Sequence, residues 1–281
     1  MGEVRFYGQE VPYAISDIVE DLPHVDEMIA VVCTGTGIGL VAFMTGYYLQ
    51  RQKLNYQDLG EISSLSMLSD PIVNEDTGYF ESPGVKLKFT EAGEIPMLVA
   101  FGPRQPASWE AHFTANALFE VMEKISEKSM MLSVGGFGVT TKEKMPAIVG
   151  RPNGKEADEF MKAHKIAKID DVQKVGGIGK VLNAGQGFQA ALPMLAMRRN
   201  IASVFFLGTA LMPEHVGVRL DAEAVRHVMT KISDLVGLNL DYGKIDEFIK
   251  RERAQQRYIQ ELARRFTREI TTEGPDTSMY I

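Results

Sequence analysis

After Glu27, the chain runs Met28-Ile29-Ala30-Val31-Val32-Cys33, six apolar residues of which three are β-branched. A strand with one face in water would alternate apolar and polar side chains. An unbroken run suits a strand covered on both faces, which means a parallel sheet with helices above and below it. Similar runs recur at Ile95–Phe101, Met130–Val134 and Ile201–Leu207. Shorter strands are expected at Val4–Tyr7, Gln57–Ser63 and Ala147–Arg151. Val85-Lys86-Leu87-Lys88-Phe89 alternates, as a half-exposed strand does, and Glu91-Ala92-Gly93-Glu94 can turn it into the next run as a hairpin.

Helices are expected between the strands. One should span about Ile38 to Lys53. Trp109, Phe113, Ala117, Val121 and Ile125 repeat every four residues, so they predict an amphipathic helix with Ser108 as its N-cap. Further helices are read at Lys155–His164, at Phe188–Arg199 and from a cap at Asp221 through Val236. Residues 64–84 read as loop. Gly135-Gly136-Phe137-Gly138 and Gly176-Gly177-Ile178-Gly179 read as turns after strands. The fold expected is α/β, a three-layer α/β/α domain with a mostly parallel sheet and at least one hairpin.

With 45 % hydrophobic residues in 281, the chain has ample material for a core. Its net charge of −7 argues against a general nucleic-acid-binding role. The single cysteine, Cys33, excludes an intrachain disulfide framework and reads as a small buried hydrophobe. The N-terminus shows no secretory signal pattern. The longest apolar stretch, Ile38 to Leu49, is too short to span a bilayer and is interrupted by Thr45 and Gly46, so a cytoplasmic protein without membrane partners is expected. No linker or internal repeat is evident. Three parts are expected: a core over 1–241, a helix over 242–270, and a flexible tail over 271–281.

Gly37-Ile38-Gly39-Leu40-Val41-Ala42 fits G-x-G-x-x-A between an expected strand and an expected helix, the setting of a dinucleotide fingerprint. Glu61 stands where a ribose-binding acid would. Gly35, Gly37 and Gly39 are therefore a candidate anion or ligand turn. Tight strand-to-helix turns also need glycine for purely conformational reasons. The histidines (His24, His112, His164, His215 and His227) have no metal-ligand spacing with the cysteine. Glu214-His215 could belong to a cleft or simply to the surface. P-loop, G-x-S-x-G and H-E-x-x-H patterns are absent. Neither metal nor cofactor is expected, and the catalytic inventory is thin.

The last expected helix, Tyr242 to Ile270, would be about 43 Å long. It carries Arg251, Arg253, Arg257, Arg264, Arg265 and Arg268 among acidic neighbours, as a solvated face does or as one complementing an acidic partner would. Gly274-Pro275 stops helical continuation, and the polar Thr271–Ser278 stretch leads to Met279-Tyr280-Ile281. An apolar tip with a carboxylate can insert into a pocket on another protein or fold back on its own domain.

Three passages together resemble the proteasome-assembly-chaperone family in its archaeal-type, single-chain form. They are Gly37–Ala42 leading into Gly46-Tyr47-Tyr48-Leu49; Pro96–Phe101 with the helix from Trp109 and Met130–Gly138; and Gly179–Gly187 with Leu192–Arg199 and Ile201–Leu207. The order of these glycine and apolar stretches carries the resemblance. Met212-Pro213-Glu214-His215-Val216-Gly217 departs from it, lacking a proline-rich form. The resemblance implies a nucleoside-phosphorylase-like α/β/α fold, no enzymatic role, homo-oligomerisation and, for some members, proteasome core-particle α-subunits as partners. Met279-Tyr280-Ile281 then matches the hydrophobic–tyrosine–any-residue (HbYX) docking motif, whose terminal carboxylate pairs with a lysine between adjacent α-subunits. The competing expectation is a nucleotide- or nucleoside-binding enzyme using the Gly35–Gly39 turn.

Overall fold

A computed structural model of the chain describes residues 3–6, 9–12, 14–35, 38–68, 72–73, 80–81, 83–143, 145–175, 187–211, 220–251 and 253–254. The chain divides into two compact units, 1–240 and 241–281. In the second unit the backbone is helical over 243–251. The Tyr242 carbonyl accepts from the Asp246 N–H, and the Asp241 carboxylate accepts from the Gly243 N–H.

The first unit begins with a small hairpin of β1 (Glu3–Phe6) and β2 (Gln9–Pro12). The strands β3 (Ala14–Ile18), β4 (Val25–Thr34) and β5 (Gln57–Ser64) follow, with α1 (Val41–Leu49) between the last two. Then come α2 (Leu65–Leu68), β6 (Ile72–Val73), β7 (Phe80–Glu81), β8 (Val85–Thr90) and β9 (Met97–Gly102). The chain continues through α3 (Ala111–Ile125), β10 (Ser126–Val139), β11 (Ile148–Pro152), α4 (Lys155–Ala163), β12 (Ala167–Lys168) and α5 (Ile169–Val175). It closes with α6 (Phe188–Met197), β13 (Ala202–Leu211) and α7 (Ala222–Val236).

Nine of the described strands form one sheet in the order β12-β11-β13-β10-β4-β9-β8-β5-β3. Its centre, β13-β10-β4-β9, is parallel, and antiparallel pairs flank it on both sides. The expected hairpin is β8–β9, with Thr90 opposite Met97. Helices cover both faces, which explains why β4 reads as a continuous apolar run. Met28, Ala30 and Val32 pack into a core shared with Leu118, Phe119 and Met122 of α3 and Leu192 of α6. Cys33 points the other way, toward Gly46 of α1, and burial pushes its thiol pKa far up.

Local chemistry sets several boundaries where they were expected. Asp221 caps α7: its Oδ1 accepts the Ala224 N–H at 2.9 Å. The same carboxylate meets the Lys142 ammonium at 2.7 Å and accepts the Leu211 N–H at 2.8 Å. One side chain thus ties the end of β13, the loop after β10 and the start of α7. Asp221→Ala should cost about 2–3 kcal/mol, a lost cap plus an orphaned N–H. Asp221→Asn, which keeps the cap, should cost less. Urea midpoints of the two variants check the ordering.

Other expectations are corrected. The backbone over 135–138 is strand, not turn: β10 runs straight through its glycines. A Cβ on Gly136 would lie 2.0 Å from the Ile38 carbonyl oxygen, so glycine there serves close packing. The expected helix from Ile38 to Lys53 is shorter. Residues Ile38–Leu40 form a 3₁₀ turn, Leu40 adopts φ 52°, and α1 ends at Leu49, whose carbonyl accepts from the Tyr56 hydroxyl. Ser108 does not cap α3, which starts at Ala111 after Glu110. Ser66 intervenes: its hydroxyl accepts the Ala107 N–H, and its own N–H donates to the buried Glu110 carboxylate at 3.1 Å. These contacts anchor the turn at 107–110 that leads into α3, and Trp109 in that turn is 61 % exposed rather than on the buried face. The stretch 64–84, read as loop, includes α2, β6 and β7. The 176–179 glycines and Glu214-His215 lie outside the described residues.

Pro193 sits inside α6. It has no N–H for the carbonyl of Gln189, four residues back. The Ser133 hydroxyl of β10 supplies the missing donor at 2.7 Å, so the helix continues through the proline.

Candidate functional site

The chain leaves β4 toward α1 on one face of the sheet and leaves β9 toward α3 on the other. Open α/β sheets take ligands in the crevice that such a divergence opens at the carboxyl ends of strands. Gly35 lies here at the end of β4, with φ +68°. Any Cβ at that position would be strained, and it would also meet Gln105 Cγ at 2.4 Å. Gly39 belongs to the 3₁₀ turn. Gly37 and the terminal Met279, Tyr280 and Ile281 lie outside the described residues.

Gln105 spans the crevice. Its Nε2 donates to the Thr34 carbonyl at 3.2 Å, and its Oε1 accepts the Phe188 N–H at 3.1 Å. The amide therefore joins the end of β4 to the first turn of α6, packed between Gly35 and Gly187. Sequence reading missed it, since a lone glutamine after a strand has no spacing signature.

The geometry around Gly35 differs from a dinucleotide fingerprint in two ways. The turn does not run directly into an α-helix, because the 3₁₀ segment and left-handed Leu40 intervene. Glu61 lies on β5, three strand spacings or about 14 Å from β4, and accepts from the Ser63 hydroxyl at 2.6 Å. It does not sit beside the glycine turn.

His112 is exposed, with Asn116 as a side-chain neighbour at 3.1 Å. The pKa of His164 is lowered, first by partial burial and then by the Lys231 charge. Among the described residues, no group of three or more His, Cys, Asp or Glu side chains could hold a metal ion. No helix among them is long and apolar enough to cross a membrane.

A second feature lies alongside α6. A groove of about 450 Å³ is lined by Arg151, Asn153, Ala190, Met194, Met197 and Phe205 among others. Met194 and Met197 are 64 % and 56 % exposed. Arg151 forms an exposed ion pair with Asp170 at 2.8 Å.

A family model, that of the PAC2 family, matches residues 35–263, from the glycine turn into the terminal helical region. The chain belongs to the PAC2 family. Solved structures share the fold of this PAC2 protein. Pyrococcus furiosus PbaB, an archaeal proteasome activator, aligns over 89 % of this chain and all of its own, with TM-score 0.70 and 16 % identity. Pyrococcus furiosus PbaA, an archaeal homologue of proteasome-assembly chaperone, aligns over 96 % of this chain and all of its own, with TM-score 0.63 and 18 % identity. A Mycobacterium tuberculosis proteasome-assembly chaperone homologue aligns over 83 % of this chain and 94 % of its own, with TM-score 0.58 and 14 % identity. A comparison with curated protein sequences finds no match.

In this PAC2 protein, Gln105→Leu keeps the side-chain bulk but leaves the Thr34 carbonyl and the Phe188 N–H without their partner. A loss of about 2 kcal/mol is expected, read as a lower urea midpoint at unchanged m-value.

Proposed function

We propose that the chain is a non-enzymatic, cytoplasmic proteasome-binding protein. It works as a homo-oligomer and docks on core-particle α-subunits through Met279, Tyr280 and Ile281. The observation that carries this reading is the joint occurrence, in one chain, of a PAC2-family domain and the sequence Met-Tyr-Ile behind a polar stretch and a Gly-Pro stop. The likeness to an archaeal proteasome activator and to assembly-chaperone homologues supports it. Tyr280 supplies ring burial and a hydroxyl, Met279 an adaptable apolar contact, and the Ile281 carboxylate a partner for a lysine. A domain arrangement of core 1–241, helix 242–270 and flexible tail 271–281 suits this role by setting the motif on an arm.

The alternative, an enzyme that seats a nucleotide or nucleoside at Gly35–Gly39, has against it the Gln105 side chain packed on Gly35 and the remote Glu61. The deciding experiment is a pull-down of the proteasome core particle with the C-terminus free, compared with the same protein carrying a C-terminal tag. Capture by the free form alone is expected. Equal capture by both would overturn the tail-docking reading.

A further inference from the structure

We propose that the first turn of α6, with the side chains of Gln189 and Thr34 beside it, binds a small oxyanion: a phosphate or carboxylate group. The turn is a set of backbone donors. The opening N–H groups of an α-helix have no acceptor within the helix, and their partial positive charge favours an anion. In α6 the Phe188 N–H goes to Gln105 and the Ala191 N–H to the Gly187 carbonyl. The N-cap residue, Gly187, has no side chain to offer the Gln189 and Ala190 N–H groups between them.

Two buried side chains supply the second observation. Gln189 is 4 % exposed, and its Nε2 has no hydrogen-bond partner among the described residues. Thr34 is fully buried, and its Oγ1 also has none. Each such orphan costs about 1–3 kcal/mol unless something pairs with it. Both belong to one corner of the molecule. Helical side chains lean toward the N-terminus of their helix, so the Gln189 amide reaches back toward the opening turn. Thr34 has the same strand parity as Met28, Ala30 and Val32, which puts its hydroxyl on the α3–α6 face of the sheet at the end of β4. Gln105 links the Thr34 carbonyl to the Phe188 N–H, which keeps the two sites within one amide's reach.

The chemistry of the corner selects the ligand. The amide nitrogen of Gln189 can only donate, and the helix N–H groups can only donate. The Thr34 hydroxyl can donate as well. A ligand that presents several acceptor atoms in a compact group, as an oxyanion does, matches this set. The backbone carbonyl of Gln189 does not oppose it: helix carbonyls point away from the opening turn, and this one accepts from Ser133.

The test titrates the full-length protein with sodium phosphate and, separately, with sodium acetate, against sodium chloride at matched ionic strength. Melting temperature and calorimetric heat are read together. A saturable response to at least one of the two is expected, and which one responds identifies the group. Gln189→Leu should weaken that response at least about tenfold. It should also leave the anion-free protein no less stable, because it removes an unpaired buried amide. Thr34→Val, nearly isosteric, is the second variant and should weaken binding too, whereas the exposed Lys155→Ala should not. No saturable response up to about 10 mM anion, or a response undiminished in both Gln189→Leu and Thr34→Val, overturns the proposal.

Discussion

On the proposed docking, deleting Met279–Ile281 is expected to abolish co-migration with the proteasome core particle while leaving the proposed oligomer and its melting temperature unchanged. The size of the effect follows from multivalency. A tripeptide docks weakly on its own, but several tails on one oligomer gain about 10²–10⁴-fold in avidity if their spacing suits the ring. Tyr280→Ala removes an aromatic anchor worth about 2 kcal/mol, roughly thirtyfold per tail. With several tails engaged at once those factors multiply, so a modest loss per site becomes loss of capture. Tyr280→Phe keeps the ring and should fall between wild type and alanine. Native gel migration and size-exclusion chromatography of the mixtures read all three variants. Co-migration of the deleted chain at wild-type level would reject tail docking. A changed oligomer would mean that the tail serves self-assembly instead.

Gly136→Ala is expected to destabilise the first unit by about 3 kcal/mol or more, among the largest effects of any single methyl in this chain. The added Cβ would sit 2.0 Å from the Ile38 carbonyl oxygen and 3.2 Å from the Ile38 Cβ. Neither neighbour can yield easily. Ile38 opens the 3₁₀ turn that leads through left-handed Leu40 into α1, and β10 is held at Gly136 by its pairing with Gly208 of β13. Relief requires the turn to lift off the sheet. The urea midpoint should fall sharply at unchanged m-value. Gly154→Ala serves as the control, since nothing lies within 4 Å of a Cβ there. Equal midpoints for the two variants would show that the Ile38 turn moves freely.

The two glycine-rich passages after β4 and within β10 looked alike as sequence, and they do different work. Gly35 ends a strand with a positive φ, whereas Gly136 stays extended and makes room for another segment's backbone. Local patterning carries the first kind of information and not the second, because a close approach depends on a residue distant in sequence. Trp109 shows the same limit. Its four-residue spacing with Phe113 and Ala117 is real, but the face that α3 buries runs through Ala111, Thr114, Ala115, Leu118 and Met122, and Trp109 in the turn before it stays exposed. Glu61 had the right separation from Gly39 for a ribose acid. Strand order, which no spacing encodes, places β9 and β8 between them.

What the amino-acid sequence determined by itself is what nearest neighbours along the chain can enforce. The buried parallel strands are written in runs such as Met28–Cys33, the hairpin in Val85–Phe101, and the cap of α7 in Asp221. Family membership is written in the order of those stretches. Only the tertiary structure decided which face each helix covers and where Gln105 and Ser133 find their partners. It alone brings Thr34 and Gln189 to one corner, where the Thr34 Oγ1 and the Gln189 Nε2 are buried without partners among the described residues. Hydrogen bonds and steric contacts act over a few ångströms in space whatever the distance along the chain, and here one of them joins Gln105 to Phe188, 83 positions away.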